Sequence, residues 1–278
     1  MVLELLVNPK KIQGKRWEMF FVGFVYSAFA LFLSLFTFRG YTSLAMITFT
    51  VIASVPFVHR IIELEEKKDL QIKKETSLLR EHSKAIRTFI YLFLGFVAAF
   101  GILYMILPSA IIQRVFSAQI ETIIAVNPSI PVGSFFSGVN ALSVIFLNNL
   151  KILFLCIVFS FFYGAGAIFI LTWNASLMAT AIGAFIKANL LNAGGAIGYL
   201  EITTFGLLQF MVHGIPEISA FFIGGLASGI ISFAIVKHDL RGKNFRRILF
   251  DAADLVMIAV IILFCAAIVE VYISPFIA

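Results

Sequence analysis

Residues 19–38 read MFFVGFVYSAFALFLSLFTF, twenty residues without one charged side chain. A helix needs about 20 apolar residues to cross the hydrocarbon core of a bilayer, so this stretch is long enough. Trp17 and a basic cluster precede it, and no small-residue cleavage site follows it. These features predict a retained membrane anchor rather than a signal peptide.

The same apolar character runs through the whole chain. Of its 278 residues, 61% are hydrophobic and 13% are charged, whereas an ordinary soluble domain is about 45–50% apolar and about 25% charged. A water-soluble fold could not bury this much apolar surface, which excludes a soluble enzyme and a nucleic-acid-binding domain. The sequence therefore predicts an all-α fold, a polytopic transmembrane helical bundle.

Apolar runs separated by turns predict about seven crossings and one broken or re-entrant element that does not cross. The interrupted region 173–236 is interpreted as an outward crossing, a half-helix and an inward crossing, and the last crossing carries Glu270. The predicted crossings are 19–38, 41–58, 89–107, 150–171, 173–191, 216–236 and 255–277, with the half-helix at 198–212.

The positive charge predicts the orientation in the cell membrane. The formal net charge is +6, and 17 of the 21 Lys and Arg residues fall in three clusters. Because cytoplasmic loops are enriched in Lys and Arg, these clusters predict a cytoplasmic N-terminus and an extracytoplasmic C-terminus. The clusters lie within residues 10–16, 60–87 and 237–247.

The composition changes abruptly at residues 59–88, which hold eight basic and six acidic side chains. This segment separates an N-terminal transmembrane hairpin, residues 1–58, from a membrane core, residues 89–278. It either folds as a short cytosolic helical hairpin or lies along the lipid headgroups. A charge run is most often a solvated helix face, so it is a weak signal of function.

The connection between the third and fourth crossings is also apolar. It holds few charges and shows a helical pattern of apolar residues over positions 112–126. Such a connection is not expected to lie free in water. We expect an interfacial amphipathic helix, or a helix packed across the outer mouth of the bundle.

The strongest local signal is the sequence His213-Gly-Ile-Pro-Glu217. Pro216 suits the first position of a helix, Glu217 faces the positive end of its dipole, and Gly214 permits a sharp turn. The sequence therefore predicts a break followed by a helix start. Two interpretations stay open: these side chains satisfy exposed backbone amides, or they form a polar intramembrane site.

Further polar residues complete the candidate intramembrane site. They are Glu201, Asn174, Asn148 and Asn149. Because Pro216 separates His213 from Glu217 and no H-E-x-x-H motif occurs, we expect no metal site. The sequence contains no G-x-S-x-G or Walker motif, so it predicts no catalytic residue and no cofactor. Small residues predict close helix packing; they are Gly164, Gly166, Gly224, Gly225 and Gly229.

The order of these features over residues 140–236 resembles the stage II sporulation protein M family of integral membrane proteins. The matching elements are Asn148-Asn149, Gly164-Ala-Gly166, Asn174 with Gly183, residues 210–217 reading FMVHGIPE, and Gly224-Gly225 with Gly229. The chain departs from the family in two respects. Ala175 stands where the family usually has glycine after Asn174, and residues 1–88 add a hairpin and a charged segment.

The resemblance implies a membrane component of a complex that recruits cell-wall-degrading partners, in a family whose members are not themselves enzymes. The expected function is thus a non-enzymatic scaffold for cell-envelope or membrane remodelling. Its expected partners are the lipid bilayer and membrane or envelope proteins, without nucleic acid, and a homo-oligomer stays open. The alternative is a small-solute or ion transporter or channel using His213 and Glu217. An intramembrane enzyme using the same two side chains is the weakest hypothesis.

Overall fold

The fold is taken from a computed structural model, which describes residues 16–71, 78–126, 135–163, 166–189, 195–237 and 242–274. Within these residues the chain forms nine α-helices joined by short turns, without a β-strand. The helices are α1 Arg16–Thr37, α2 Thr42–Gln71, α3 Leu78–Ile106, α4 Ser109–Val115, α5 Ser117–Val126, α6 Phe135–Tyr163, α7 Ala167–Asn189, α8 Ala196–Lys237 and α9 Lys243–Tyr272.

Seven of the helices in the described ranges are long and apolar enough to cross a membrane. These are α1, α2, α3, α6, α7, α8 and α9, whereas α4 and α5 are short helices between the third and fourth crossings. The predicted all-α class and the predicted number of crossings are confirmed. The chain is a multi-pass membrane protein.

Helices α1 and α3 pack with their backbones in direct contact. A Cβ atom at Gly23 would clash with the backbone oxygen of Leu92, and one at Gly95 would clash with that of Phe20. Glycine at both positions therefore allows the close approach. Helix α2 returns beside α1 after a short turn, so the two helices form a hairpin.

The charged segment 59–88 extends two membrane helices where the structure describes it. Helix α2 continues to Gln71 and α3 begins at Leu78, while residues 72–77 lie outside the described ranges. His82 Nδ1 lies 2.9 Å from Glu65 Oε2, and both side chains are fully buried. The extensions therefore pack against each other, which favours the helical-hairpin alternative over a segment lying along the headgroups.

Helices α4 and α5 pack onto the bundle. Val115 and Phe116, at the junction of the two helices, are fully buried. Gln119 donates a hydrogen bond to Ser176 Oγ over 3.0 Å and accepts one from Ser43 Oγ over 2.7 Å. These bonds tie α5 to α2 and α7, in agreement with the expected helix packed across one end of the bundle.

The predicted boundaries of the fourth and fifth crossings, 150–171 and 173–191, are wrong. Helix α6 covers Phe135–Tyr163 and α7 begins at Ala167. Asn148 and Asn149 therefore lie in the middle of a helix rather than at its entrance. Two adjacent polar residues suggest a boundary in the sequence, but Asn149 has a hydrogen-bonding partner on a neighbouring helix.

The predicted break at residues 213–217 is also wrong. Helix α8 is continuous over 42 residues, about 63 Å, with Pro216 inside it. Residues 198–212 are the first part of this helix rather than a re-entrant element. Proline removes one backbone hydrogen bond, but neighbouring helices can compensate in a membrane. Here Gly214 and Ile218 are buried on either side of Pro216, and so is every residue from 220 to 230.

Candidate polar site between three helices

A polar cluster lies where α6, α8 and α9 meet. Asn149 Nδ2 of α6 donates a hydrogen bond to Glu217 Oε1 of α8. The Glu217 carboxyl group also lies within hydrogen-bonding reach of the Glu270 carboxyl group of α9. His213 Nδ1 lies 3.1 Å from the Ser274 hydroxyl oxygen. These side chains link three helices that are distant in sequence.

Helical spacing explains why the side chains meet as pairs. His213 and Glu217 are four residues apart on α8, while Glu270 lies in the last turn of α9 and Ser274 just beyond the end of that helix. Side chains at this spacing lie on one face of a helix. The pairing therefore depends on the continuity of α8 through Pro216, because a break there would separate His213 from Glu217.

The two carboxyl groups set the electrostatics of the cluster. Carboxylates only accept hydrogen bonds, so a bond between two carboxyl groups requires a proton on one of them. Asn149, whose side chain is 7% exposed, contributes an amide donor without adding charge. The cluster can thus hold a proton between α8 and α9. In the ranges that the structure covers, no three His, Cys, Asp or Glu side chains are placed to hold a metal ion.

The cluster lies toward one end of the α8–α9 pair. Glu217 precedes Lys237, at the end of α8, by about 30 Å of helix. Glu270 lies two residues before the end of α9, whereas Arg246 lies close to its beginning. The polar cluster and the basic residues at 237–247 are therefore at opposite ends of this helix pair.

Three of the predicted site residues lie elsewhere. Asn174 donates a 2.8 Å hydrogen bond to the Ile170 oxygen of its own helix. Glu201 is exposed and lies about 24 Å from Glu217 along α8. Asn148 is also exposed. The predicted residues that do come together are Asn149, His213 and Glu217.

Three glycines on α8 lie where other helices cross it. A Cβ atom at Gly214 would clash with the Met178 side chain of α7, and one at Gly225 would lie 2.7 Å from the Ala167 Cβ. At Gly224 an added Cβ would clash with a leucine side chain of α6. Gly214 is therefore a packing position on α8 rather than the turn expected from the sequence.

The other predicted small residues lie near the α6–α7 connection or within α8. A Cβ atom at Gly166, in the turn before α7, would clash with the backbone oxygen of Phe159. Gly229 is buried within α8. Gly164 lies outside the described residues, and Pro216 lies inside α8 between His213 and Glu217 in sequence.

Two members of the polar cluster, Glu270 and Ser274, are not among the site residues predicted from the sequence. Glu270 lies in the last predicted crossing, where a single acid in an apolar span is the signal that the sequence offers for a functional residue. Ser274 gave no signal, because a serine after the last turn of a helix is unremarkable in sequence. Both residues enter the site through the antiparallel packing of α9 on α8.

A profile of the family described as Stage II sporulation protein M matches residues 131–275, just over half of the chain. No curated protein and no solved structure matches the chain. The matched segment contains all of α6, α7, α8 and α9. It includes every member of the polar cluster: Asn149, His213, Glu217, Glu270 and Ser274.

Proposed function

We propose that this chain, which belongs to the stage II sporulation protein M family, is a non-enzymatic membrane scaffold that recruits partner proteins in cell-envelope or membrane remodelling. The family profile confirms the resemblance found in the sequence. The role of partner recruitment is supported by what that resemblance implies. The expected partners are membrane or envelope proteins within reach of the bilayer.

The observation that carries the proposal is that the polar side chains of the family segment bond to one another across helices. Asn149, Glu217 and Glu270 connect α6, α8 and α9. Ser228 Oγ of α8 adds a 2.6 Å bond to the Ile157 oxygen of α6. Side-chain bonds between membrane helices contribute about 0.6 kcal/mol each on average. Together they favour a fixed arrangement of helices, which a scaffold needs to present its outer surfaces.

The apolar lining of the bundle interior also supports a scaffold rather than a pathway for a hydrophilic solute. A small cavity lies among α2, α3, α6, α7 and α8, and no member of the polar cluster lines it. Its lining is mainly apolar and includes Val58, Ile62, Phe89, Leu171, Phe222 and Leu226. Large apolar side chains such as these do not provide the polar contacts that would guide a hydrophilic solute.

Affinity purification of the full chain in a mild detergent tests the scaffold proposal. We expect membrane or envelope proteins to co-purify in stoichiometric amounts. The control is an unrelated multi-pass protein carrying the same tag at the same expression level. Repeated recovery of the chain without any partner would contradict the proposal.

We also propose that the N-terminus is cytoplasmic and the C-terminus extracytoplasmic. Seven crossings place the two ends on opposite sides, and the basic clusters favour this orientation. In a chain lacking Cys156 and Cys265, an impermeant maleimide applied to intact cells should label Arg39→Cys but not Gly242→Cys. Labelling of Gly242→Cys alone would reverse the orientation.

A transporter or channel is the second candidate, and the contact between Glu217 and Glu270 is the observation that favours it. Ionisable residues inside membrane segments often mark ion or proton pathways. In vesicles containing the purified chain, a proton or small-cation flux should disappear in Glu217→Gln. Glu201→Gln is the matched control, because Glu201 is exposed and far along the same helix. Absence of flux from the wild-type chain would exclude this candidate for the ions assayed.

A further inference from the structure

Helix α6 is the least enclosed of the seven spans that the structure describes. Over its most apolar 18 residues, 17% are buried, whereas each of the other six spans buries 33% or more. Its buried side chains form one stripe along the helix; they include Asn149, Leu153, Cys156 and Ser160. The opposite face of α6 is therefore open to lipid or to another protein.

The open face of α6 has the seven-residue repeat of paired helices, in which contact positions alternate between three and four residues apart. The six positions are Val144, Leu147, Lys151, Phe154, Val158 and Phe161. Val158 is half-buried and the other five are exposed. Side chains at this spacing fit the geometry in which a second helix packs at a shallow angle. All six positions except Lys151 are apolar.

Lys151 is exposed in the middle of a membrane span. It lies 11 residues after Asn140 and 10 residues before Phe161, the ends of the span, so each end is about 15 Å away. A lysine side chain reaches about 6 Å, which is too short to bring its ammonium group to either headgroup region. Among the residues that the structure describes, none forms an ion pair with Lys151. A charge at this depth is costly and calls for a partner of opposite charge.

Asn148 adds a second polar group beside Lys151. It precedes Lys151 by three residues and is also exposed, so the two side chains lie one turn apart on the same face. The lysine ammonium and the asparagine amide both donate hydrogen bonds, and the two oxygens of one carboxylate can accept from both. A carboxylate is therefore the group that satisfies the charge of Lys151 and the amide of Asn148 together.

The helices beside α6 do not provide this carboxylate at the right depth. In the part of the chain that the structure describes, the exposed acids on α7, α8 and α9 are Glu201 and Asp254. Glu217 marks the depth of Lys151, because it bonds to the α6 residue two positions earlier. Glu201 lies about 24 Å from Glu217 along α8, and Asp254 lies about 24 Å along α9 from the residue that meets Glu217. A second copy docking through this surface would therefore bring no carboxylate to Lys151.

We propose that the open face of α6 binds a transmembrane helix of a different protein, and that this helix carries an aspartate or glutamate at mid-depth that pairs with Lys151. The inference rests on the scaffold proposal, because it names the class of partner and the surface that recruits it. The carboxylate supplies the opposite charge and also accepts a hydrogen bond from Asn148. The apolar repeat positions on either side of Lys151 contact the partner helix, and the single charged position fixes its register.

A synthetic membrane helix tests the pairing in lipid vesicles that contain the purified full chain. The peptide consists of leucine and alanine with one glutamate at its centre, and energy transfer from the chain reports its binding. It should bind at least tenfold more tightly than the same peptide with a central glutamine. Lys151→Leu should remove this preference, and Lys151→Glu should transfer it to a peptide with a central lysine. Equal binding of the glutamate and glutamine peptides to the wild type, or no binding, would overturn the proposal.

Arg114→Leu is the matched control for the vesicle experiment. It also removes an exposed cation, but one that lies in the short helix α4 rather than in a span. The preference for the glutamate peptide should stay unchanged in this variant. An equal loss of preference in Arg114→Leu and Lys151→Leu would show that the net charge of the chain, rather than the open face of α6, selects the peptide.

Photo-cross-linking in cells identifies the partner helix. A photoreactive amino acid in place of Phe154 should capture a membrane span of another protein that contains a central aspartate or glutamate. Phe29, exposed to a similar extent on α1, is the control position and should not capture it. Lys151→Leu should abolish capture at position 154. Capture of this chain itself, of a span without an acid, or of no protein would contradict the proposal.

The outcomes separate this inference from the scaffold proposal. If the same partners co-purify with the wild type and with Lys151→Leu in equal amounts, the scaffold proposal stands and the assignment to α6 fails. If no partner co-purifies with the wild type, the scaffold proposal fails. The vesicle experiment then still decides whether Lys151 selects a helix that carries a carboxylate.

Discussion

Two contacts that involve glutamate, one fully buried and one partly buried, join the helices of this protein in different ways. Glu65 of α2 meets His82 of α3 at 2.9 Å, which is a contact between an acid and a base. Glu217 of α8 meets Glu270 of α9, which is a contact between two acids. An acid and a base can neutralise each other, whereas two acids can bond only by sharing a proton.

The acid–base contact serves to join two helices, whereas the contact between two acids can also hold a proton. The pair of Glu65 and His82 lies outside the segment matched by the family profile, at the point where α2 and α3 extend beyond their apolar parts. The pair of Glu217 and Glu270 lies within that segment. Helix association alone would be served by an acid–base pair or by apolar packing. A hydrogen bond between these two carboxyl groups therefore requires a proton on one of them.

The largest effect is expected from breaking the acid–base pair. His82→Leu leaves the buried Glu65 without its histidine, and loss of one partner of a buried pair costs about 3–5 kcal/mol. The free energy of unfolding, measured by denaturant titration in detergent, should fall by this amount. Glu65→Met combined with His82→Leu should recover part of the loss, because neither member of the pair is then left behind without the other. A loss below about 1 kcal/mol in His82→Leu would contradict the inference.

A smaller effect is expected at the polar cluster. Asn149→Leu removes the amide that donates to the partly buried Glu217, and an acceptor left unsatisfied there costs about 1 kcal/mol, the lower end of the range for buried groups. Asn148→Leu is the matched control, because the adjacent side chain is exposed; its effect in monomeric detergent-solubilised chain should stay within about 0.5 kcal/mol. Equal losses in the two variants would show that the bond to Glu217 does not stabilise the fold.

The all-α class and the number of crossings could be predicted from the sequence, but two boundaries could not. Charge-free runs such as 19–38 meet the length requirement of a bilayer by themselves. Pro216 and the pair Asn148-Asn149 carry local signals for a break and a boundary, and packing overrides both signals. Gly214 and Ile218 are buried on either side of Pro216, so tertiary contacts support α8 at its proline. Local propensity cannot include contacts with residues that are distant in sequence.

The polar site could be predicted only in part for the same reason. His213 and Glu217 are four residues apart on one continuous helix, so helical spacing alone places them on the same face. Asn149 and Glu270 lie 68 and 53 residues away from Glu217 in sequence. Nothing in a single sequence states that these residues meet. Asn148 and Asn149 are equivalent candidates in sequence, and only the packing of α6 on α8 distinguishes them.

The smallest change in stability is expected when the proton-sharing pair is altered conservatively. In Glu217→Gln the amide can donate a hydrogen bond to Glu270 without a shared proton. The free energy of unfolding should therefore change by less than about 1 kcal/mol. Glu217→Leu, which provides no donor or acceptor, should lower it by more. A larger loss in Glu217→Gln than in Glu217→Leu would show that the cluster needs the acid itself for stability.

Infrared spectroscopy tests whether Glu217 and Glu270 share a proton, because it detects a protonated carboxylic acid directly. The wild-type chain at neutral pH should show the carbonyl band of a protonated carboxylic acid, since the carboxyl groups of Glu217 and Glu270 bond only when one is protonated. Glu217→Gln combined with Glu270→Gln should remove this band, whereas the exposed control Glu201→Gln should leave it unchanged. If His82→Leu removed the band instead, the proton would belong to the contact between Glu65 and His82 rather than to the contact between Glu217 and Glu270.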